Sequence, residues 1–188
     1  MTINDLDGPH LLEAGGSLPG VHTVAADLSH RSEVNALADQ VGHVDILINN
    51  AGMQHVSSIA DFEEARWDLL IAVMLTAPFV LMHRLLPAMY GAEWGRVVNV
   101  ASVHGLVASP NKSAYVAAKH GLLGLTKTAA LEAAARCSDV TVAAICPSFV
   151  RTPLVESQID AQARLSGLPS EQVALPSCQP GVAVSATE

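Results

Sequence analysis

Apolar positions along this chain fall into two alternating kinds of segment. Residues 21–26 (VHTVAA) are short, β-branched and apolar and end at Asp27, which reads as a strand. Val34, Leu37, Ala38 and Val41 then recur at i, i+3, i+4 and i+7, the spacing of one helix face, and Gly42 stops that helix. Residues 44–49 (VDILIN) are a second strand, followed by the turn-prone NNAG. A helical region runs from about Glu63 to Met89, with Trp67, Leu70, Ile71 and Met74 as its buried stripe and Pro78 as a bend. Residues 96–102 (RVVNVAS) are a third strand, and the alanine-rich residues 113–136 a long helix. Residues 140–145 (VTVAAI) are a fourth strand, closed by Cys146-Pro147. Strands alternating with helices of this length imply βαβ units and a parallel sheet, so the fold class is α/β.

The two ends differ. The first twenty residues hold a strand end at Thr2-Ile3 and then GGSLPG from Gly15 to Gly20, which reads as a turn. The last twenty, 169–188, mix Pro, Ser and Gly without a clean period and are expected to be a poorly ordered tail. In such a fold ligands gather at the carboxyl ends of the strands. The residues to inspect are therefore Asp27, Asn50-Ala51-Gly52, Ser102 and Pro147.

Composition narrows the picture. A length of 188 residues fits a single domain over 1–188. Hydrophobic residues make up 50% and charged residues 15%, against a usual charged share of about 25%. That balance suits a sheet covered on both faces. With 10 Lys+Arg, 18 Asp+Glu and no basic run, the net charge of −8 argues against nucleic acid or an anionic membrane as partner. The longest nearly apolar run, residues 69–82, is broken by Thr76 and Pro78 and reads as a buried helix rather than a membrane span. The start, MTINDLDGPH, shows no secretory pattern. Cys137, Cys146 and Cys178 lack CxxC spacing and read as free thiols of a reducing compartment, so a soluble cytoplasmic protein is expected. The histidines show no metal-ligand spacing, and no metal is expected.

Tyr115 and Lys119 lie four apart on the long helix and share a face. An ammonium beside a phenol favours the phenolate, which turns a group of pKa about 10 into a usable proton carrier. Ser102, thirteen residues earlier, sits at the tip of a strand, where a hydroxyl can hold the same substrate oxygen. Together they suit carbonyl–alcohol interconversion, with hydride supplied by a cofactor. Alone, a Tyr-x-x-x-Lys pair is also an ordinary solvated i,i+4 pair.

The order of NNAG after one strand, Ser at the end of the next, and Tyr-x-x-x-Lys on the following helix resembles the short-chain dehydrogenase/reductase family over about residues 21–155. The resemblance implies a Rossmann-type, doubly wound parallel sheet flanked by helices. It implies Tyr115 as acid/base, Lys119 as its tuner and ribose ligand, and Ser102 as the substrate-oxygen anchor. Asp5, Asp27, Leu28, Asn50, Ala51 and Gly52 would meet the adenosine side of the cofactor, and Pro147, Val150 and Thr152 its carboxamide. AGMQHV, ASVHGLV, NKSAYVAAKHGLLGLTK and CPSFVRTPLVESQID resemble in particular the bacterial D-3-hydroxybutyrate dehydrogenases. That likeness implies a small carboxylate held by Gln54, His104, Lys112 and Gln158. The expected reaction is NAD-dependent, reversible oxidation of a small 3-hydroxy acid to the 3-oxo acid. NAD is expected over NADP because Asp5 would meet the ribose and no Lys or Arg precedes Arg31. A homo-oligomer is compatible with the two long helices.

The sequence departs from the family in four places. No glycine-rich turn follows a first strand, and a strand-helix unit that would carry it is missing. Met74 stands where the family usually has a catalytic Asn, and a thioether donates no hydrogen bond. The usual Pro-Gly is Pro147-Ser148, and resemblance fades after about Leu168. The chain thus reads as shortened at both ends, lacking the first strand-helix unit and the last strand. Two other functions stay open: a catalytically silent relative acting as a structural or binding partner, and a reductase of another small carbonyl. Plainer readings also stay open for Lys112 as a solvated loop residue, His104 as a loop cap, Gln158 as a polar helix face, and Asp5 as a frayed end.

Overall fold

In the computed structural model, the described residues are 1–148 except Asp7, together with Ile159, Ala163 and Arg164. β1 (Thr2–Asp5) pairs in parallel with β2 (His22–Ala25), and α1 (Pro9–Ser17) connects them. After α2 (Arg31–Val41) come β3 (Ile46–Asn49) and a long helical rod made of α3 (Glu64–Ile71), a π-turn (Ala72–Thr76) and α4 (Ala77–Gly91). β4 (Gly95–Val100), α5 (Ser113–Arg136) and β5 (Val140–Ile145) follow. The described strands form two parallel sheets, β1-β2 and β3-β4-β5. The register of the second places Asn49 opposite Asn99 and Gly95 opposite Val140.

The period-two and period-3.6 patterns explain what is buried. Val34, Leu37 and Ala38 of α2 pack with Val24 of β2, the following Ala26, and Ala77, Val80, Leu81 and Leu85 of α4. Leu47 of β3 rests on the same cluster, so the two sheets share one core without pairing. Arg84 of α4 and Asp39 of α2 close that contact at its surface. A second cluster joins Met82 and Met89 of α4 to Val97, Val140 and Val142 of the sheet and Ala129 and Ala133 of α5. On the opposite face Ile46 and Ile48 are 54% and 60% exposed. The β3 side chains are thus covered on one face only.

Two sequence expectations need correcting. GGSLPG is a turn only in its second half, because α1 continues through Gly15, Gly16 and Ser17. Pro9 at the start presets the first helical turn, and Leu11 is buried. A Cβ at residue 15 would lie 2.9 Å from Thr23 Cγ2, so this glycine serves close packing of α1 on β2. Trp67, assigned to the buried stripe, is 38% exposed and meets the Phe62 ring edge-on at 6.3 Å. Leu70 and Met74 carry the burial there.

At Pro78, where a bend is expected, α4 begins directly after the π-turn. Ala77 N–H reaches back to the Ala72 carbonyl, a π-type bond, and Pro78 has no N–H to return to Met74. The rod Glu64–Gly91 has 28 residues and, on length and composition alone, is apolar enough to cross a membrane. Half of its most apolar window is buried inside the fold, against α2, α5 and the sheet.

Candidate active site

The site is built where β4 runs out. Ala101 N–H donates to the Ile145 carbonyl at 2.9 Å, holding the ends of β4 and β5 together. Ser102 follows and caps a 3₁₀ turn, Val103–Gly105, its Oγ accepting the His104 N–H at 3.2 Å. Val103 N–H donates to the Pro147 carbonyl at 3.0 Å, which ties the segment after β5 to this turn. Gly105 lets the turn press on α5: a Cβ there would lie 2.9 Å from the Lys119 carbonyl oxygen.

α5 supplies Tyr115 and Lys119 from the turn facing Ser102. Lys119 is buried, and its Nζ donates to the Val100 carbonyl at 2.7 Å. That Nζ stands 5.7 Å from the centroid of the half-buried Tyr115 ring. Burial pushes the Lys119 ammonium down to about 8, partly offset by nearby Cys146. Beneath Tyr115 lie Leu70, Met74, Ala114 and Ala118, so Met74 acts as packing under the reactive helix.

Two carboxylate-ligand candidates, His104 and Lys112, lie beside this group, and a third, Gln54, is on a segment tied to it. His104 meets Tyr115 edge-on with ring centroids 5.9 Å apart, and its Nε2 lies 2.9 Å from Ser109 Oγ. Burial, then the Lys112 charge, push His104 down to about 4, so its imidazole is neutral at physiological pH. Lys112 is only 4% exposed, which rules out a solvated loop lysine, and burial lowers its pKa. It is buried because Asn111, at φ 62, turns the chain inward and accepts the Ser57 N–H at 3.0 Å. Ser57 in turn bridges to Lys112, and Met53 packs on the cluster under Tyr115. Gln54 lies between them in the chain. Both ends of its amide are buried, with no hydrogen-bond partner among the described residues.

Sequence reasoning missed a buried polar chain behind the site. Asn49 Nδ2 donates to Asn99 Oδ1 at 2.8 Å, and Asn99 Nδ2 to Thr126 Oγ1 at 2.9 Å. Thr126 donates to the Leu122 carbonyl at 2.7 Å, so β3, β4 and α5 are pinned together. The signal for it was a polar residue, Asn99, at an inward position of an otherwise apolar strand. Ser109 was also missed, and a serine in a loop gives no signal.

The cofactor candidates are less gathered. Asn50, Ala51 and Gly52 form an exposed strip after β3, its origin fixed by buried Asn49. Asp5 and Asp27 stand at the carboxyl end of the other sheet. Asp5 Oδ1 accepts the Leu6 N–H at 2.7 Å and Asp27 Oδ1 the Ser29 N–H at 2.8 Å. The Ser29 bonds, largest of the effects, hold the Asp27 carboxyl below its ordinary range. Leu28 packs on the first core cluster. Val150, Thr152 and Gln158 lie outside the described residues.

A family model described as short chain dehydrogenase matches residues 10–163. D-beta-hydroxybutyrate dehydrogenase of Rhizobium meliloti (strain 1021) is 54% identical over 152 residues, covering 79% of this chain and 58% of that protein. The enzyme of the same name from Cupriavidus necator is 49% identical over 167 residues, covering 86% of this chain and 63% of its own length. The chain thus spans about three fifths of these relatives. Among solved structures, NAD+-bound xylitol dehydrogenase superposes with a TM-score of 0.85 at 25% identity, covering 94% of this chain and 72% of that one. A 4-hydroxyisoleucine dehydrogenase mutant complexed with NADH and succinate gives 0.78 at 30% identity, covering 93% and 78%.

Proposed function

The chain belongs to the short-chain dehydrogenase family, and from that membership we propose that it interconverts a small 3-hydroxy acid and its 3-oxo acid with NAD. The observation that carries the reading is a neutral His104 beside a buried Lys112 ammonium, with a buried Gln54 amide, unpartnered among the described residues, on the segment that Ser57 ties to Lys112. A buried amide with no partner costs free energy unless a ligand completes it. A cation, an amide and an imidazole together match a carboxylate better than a neutral alcohol. The succinate complex of the 4-hydroxyisoleucine dehydrogenase mutant and the names of the two bacterial relatives support the same class.

The residues present also fit a nicotinamide cofactor. The exposed Asn50–Gly52 strip offers a bed beside the reactive groups, and the buried Lys119 amine reaches the end of β4. When bound, NAD would supply the hydride acceptor. Ser102, whose oxygen already accepts from His104 N–H, donates its own proton to the substrate oxygen. Tyr115, acting as the phenolate that the nearby Lys119 ammonium favours, takes the substrate hydroxyl proton as hydride leaves the carbon bearing that hydroxyl for NAD. Lys112, with Gln54, His104 and Gln158, holds the acid so that its reacting carbon faces Tyr115. Asp5, exposed at the end of β1, would meet the ribose and favour NAD; Asp5→Ala should narrow the NAD/NADP preference, and an unchanged ratio would remove that role.

The test measures NADH binding by fluorescence, then NADH formation from D-3-hydroxybutyrate. Tyr115→Phe should lower turnover by about 10²-fold or more while leaving binding intact. A folded chain that binds NADH but shows no preference for acids over neutral alcohols rejects the substrate class. A second reading, a catalytically silent binding partner, is favoured by the split sheet and the exposed Ile46 and Ile48. A folded chain that does not bind NADH would support it.

A further inference from the structure

We infer that Phe62 is a positioning residue of the carboxylate subsite: its ring, set edge-on against His55, fixes the segment that carries Gln54. The inference deepens the carboxylate reading proposed above and rests on it. The His55 and Phe62 ring centroids are 5.2 Å apart, with the planes at 83°. A turn between them brings the rings together. The Ser58 hydroxyl donates to Asp61 Oδ2 at 2.6 Å, and Ser58 Oγ accepts the Asp61 N–H at 3.2 Å. That pair of bonds reverses the chain so that Phe62 returns onto His55.

Phe62 is itself held firmly. It packs on Leu70, Met74, Ala114 and Ala118, the layer beneath Tyr115, and meets Trp67 of α3 edge-on at 6.3 Å. Residues 50–56 belong to no helix or strand, so no backbone ladder fixes Gln54. Side-chain contacts of its neighbours do so instead. Met53 packs on the cluster under Tyr115, His55 meets Phe62, and further on the Ser57 N–H donates to the Asn111 carbonyl at 3.0 Å. Met53 is an adaptable anchor, whereas an edge-on ring pair has a preferred geometry. The Gln54 amide is buried without a partner among the described residues, an arrangement that favours its release to water. The Phe62–His55 contact opposes that release from the position directly after Gln54. Phe62 therefore acts on the acid through Gln54 and links its placement to the layer that carries Tyr115.

The experiment titrates acetoacetate into the purified chain with NADH present and reads the dissociation constant by calorimetry. His55→Ala and Phe62→Leu should each weaken acetoacetate about fivefold, the scale of one lost ring pair. His55→Phe, which keeps a ring but no imidazole, should bind as wild type does. In a Gln54→Ala background neither His55→Ala nor Phe62→Leu should weaken binding further, because the group they position is gone. His55 is half-buried, so His55→Ala carries the test if urea midpoints show that Phe62→Leu harms the fold. Unchanged binding in His55→Ala overturns the inference. So does an equal loss in the Gln54→Ala background, or a His55→Phe chain as weak as His55→Ala, which would assign the effect to the imidazole. A Gln54→Ala chain that binds as wild type, or a folded wild-type chain that binds no acetoacetate, overturns the carboxylate reading and the positioning role with it. Those two results appear with His55 and Phe62 intact, so the failures are distinguishable.

Discussion

Lys112 and Lys119 are almost wholly buried at the end of β4 and the start of α5, while Asp5 at the end of β1 is exposed and Asp27 only half-buried. Both groups stand at carboxyl ends of parallel strands, yet the protein treats them differently. Around Ser102 and Tyr115 polar groups are carried into the core, where neighbouring elements hold Lys119 (by β4) and Asn99 (by β3 and α5). Around β1 and β2 the carboxylates bond groups one to three residues on, Asp5 the Leu6 N–H and Asp27 the Ser29 N–H and His30, as an exposed turn does. Burying a charge is unfavourable unless something offsets it. The first region therefore holds its polar groups inside the core, and the second holds its own at the surface.

The largest expected effect tests that contrast in stability. Asn99→Ala leaves Asn49 Nδ2 unpaired in the core and opens a cavity, at a cost of about 3 to 4 kcal/mol. Asn4 also bridges strands, its Nδ2 donating to the Val24 carbonyl at 3.0 Å, but it is only part-buried. Asn4→Ala should cost about 1 kcal/mol. Urea unfolding of the two variants measures the difference, and equal losses would mean that the two regions are not built differently.

Acidity separates the regions next. Burial holds the folded-state pKa of His104 near 4, below its ordinary 6.5. Between those values the unfolded chain binds the proton and the folded chain does not. The contribution of His104 is thus fully present above pH 6.5 and is lost as pH falls toward 4, a span of at most about 3 kcal/mol. Asp27, lowered from 3.8, keeps its contribution above that value and loses it only on further acidification. Lys119, moved from 10.5 to about 8, adds a slope of the same sign at the alkaline end, stability rising with pH between those limits. Unfolding midpoints between pH 6.5 and 4 should fall for wild type and flatten in His104→Gln. An unchanged slope in the variant would remove His104 as the cause.

The first region's elements and its candidate residues stood out in the sequence for different reasons. α5 and β5 match their expected bounds, because long helices and β-branched strands carry strong periodic signals. Ser102, Tyr115 and Lys119 were readable because their order along βα units is informative. What holds them was not. Asn99 acts through contacts between segments distant in sequence, which no local pattern encodes. Trp67 fell on the expected stripe, but it sits in the first turn of α3, where its ring meets Phe62 and stays partly exposed. Gly15 and Gly16 were taken for a turn because glycine usually marks one. Here both fall inside α1, Gly15 facing Thr23 of β2 and Gly16 meeting nothing within 4 Å.

A last contrast comes from two glycines that face equally tight neighbours. A Cβ at residue 105 and one at residue 15 would each meet an atom at 2.9 Å. At residue 105 one such atom is the Lys119 carbonyl oxygen, part of the α5 backbone. It cannot rotate away, so Gly105→Ala must push the Ser102 turn off α5. The expected cost is about 2 kcal/mol, with Lys119 and Tyr115 displaced from Ser102 and turnover reduced. At residue 15 the atom is a methyl of the exposed Thr23, which can change rotamer. Alanine there also gains about 1 kcal/mol of helix propensity over glycine. Gly15→Ala should therefore be close to neutral. Urea midpoints for the pair read this directly. A Gly105→Ala chain as stable as wild type would show that the turn and α5 have slack between them, and the placement of Ser102 beside Tyr115 would then need another cause.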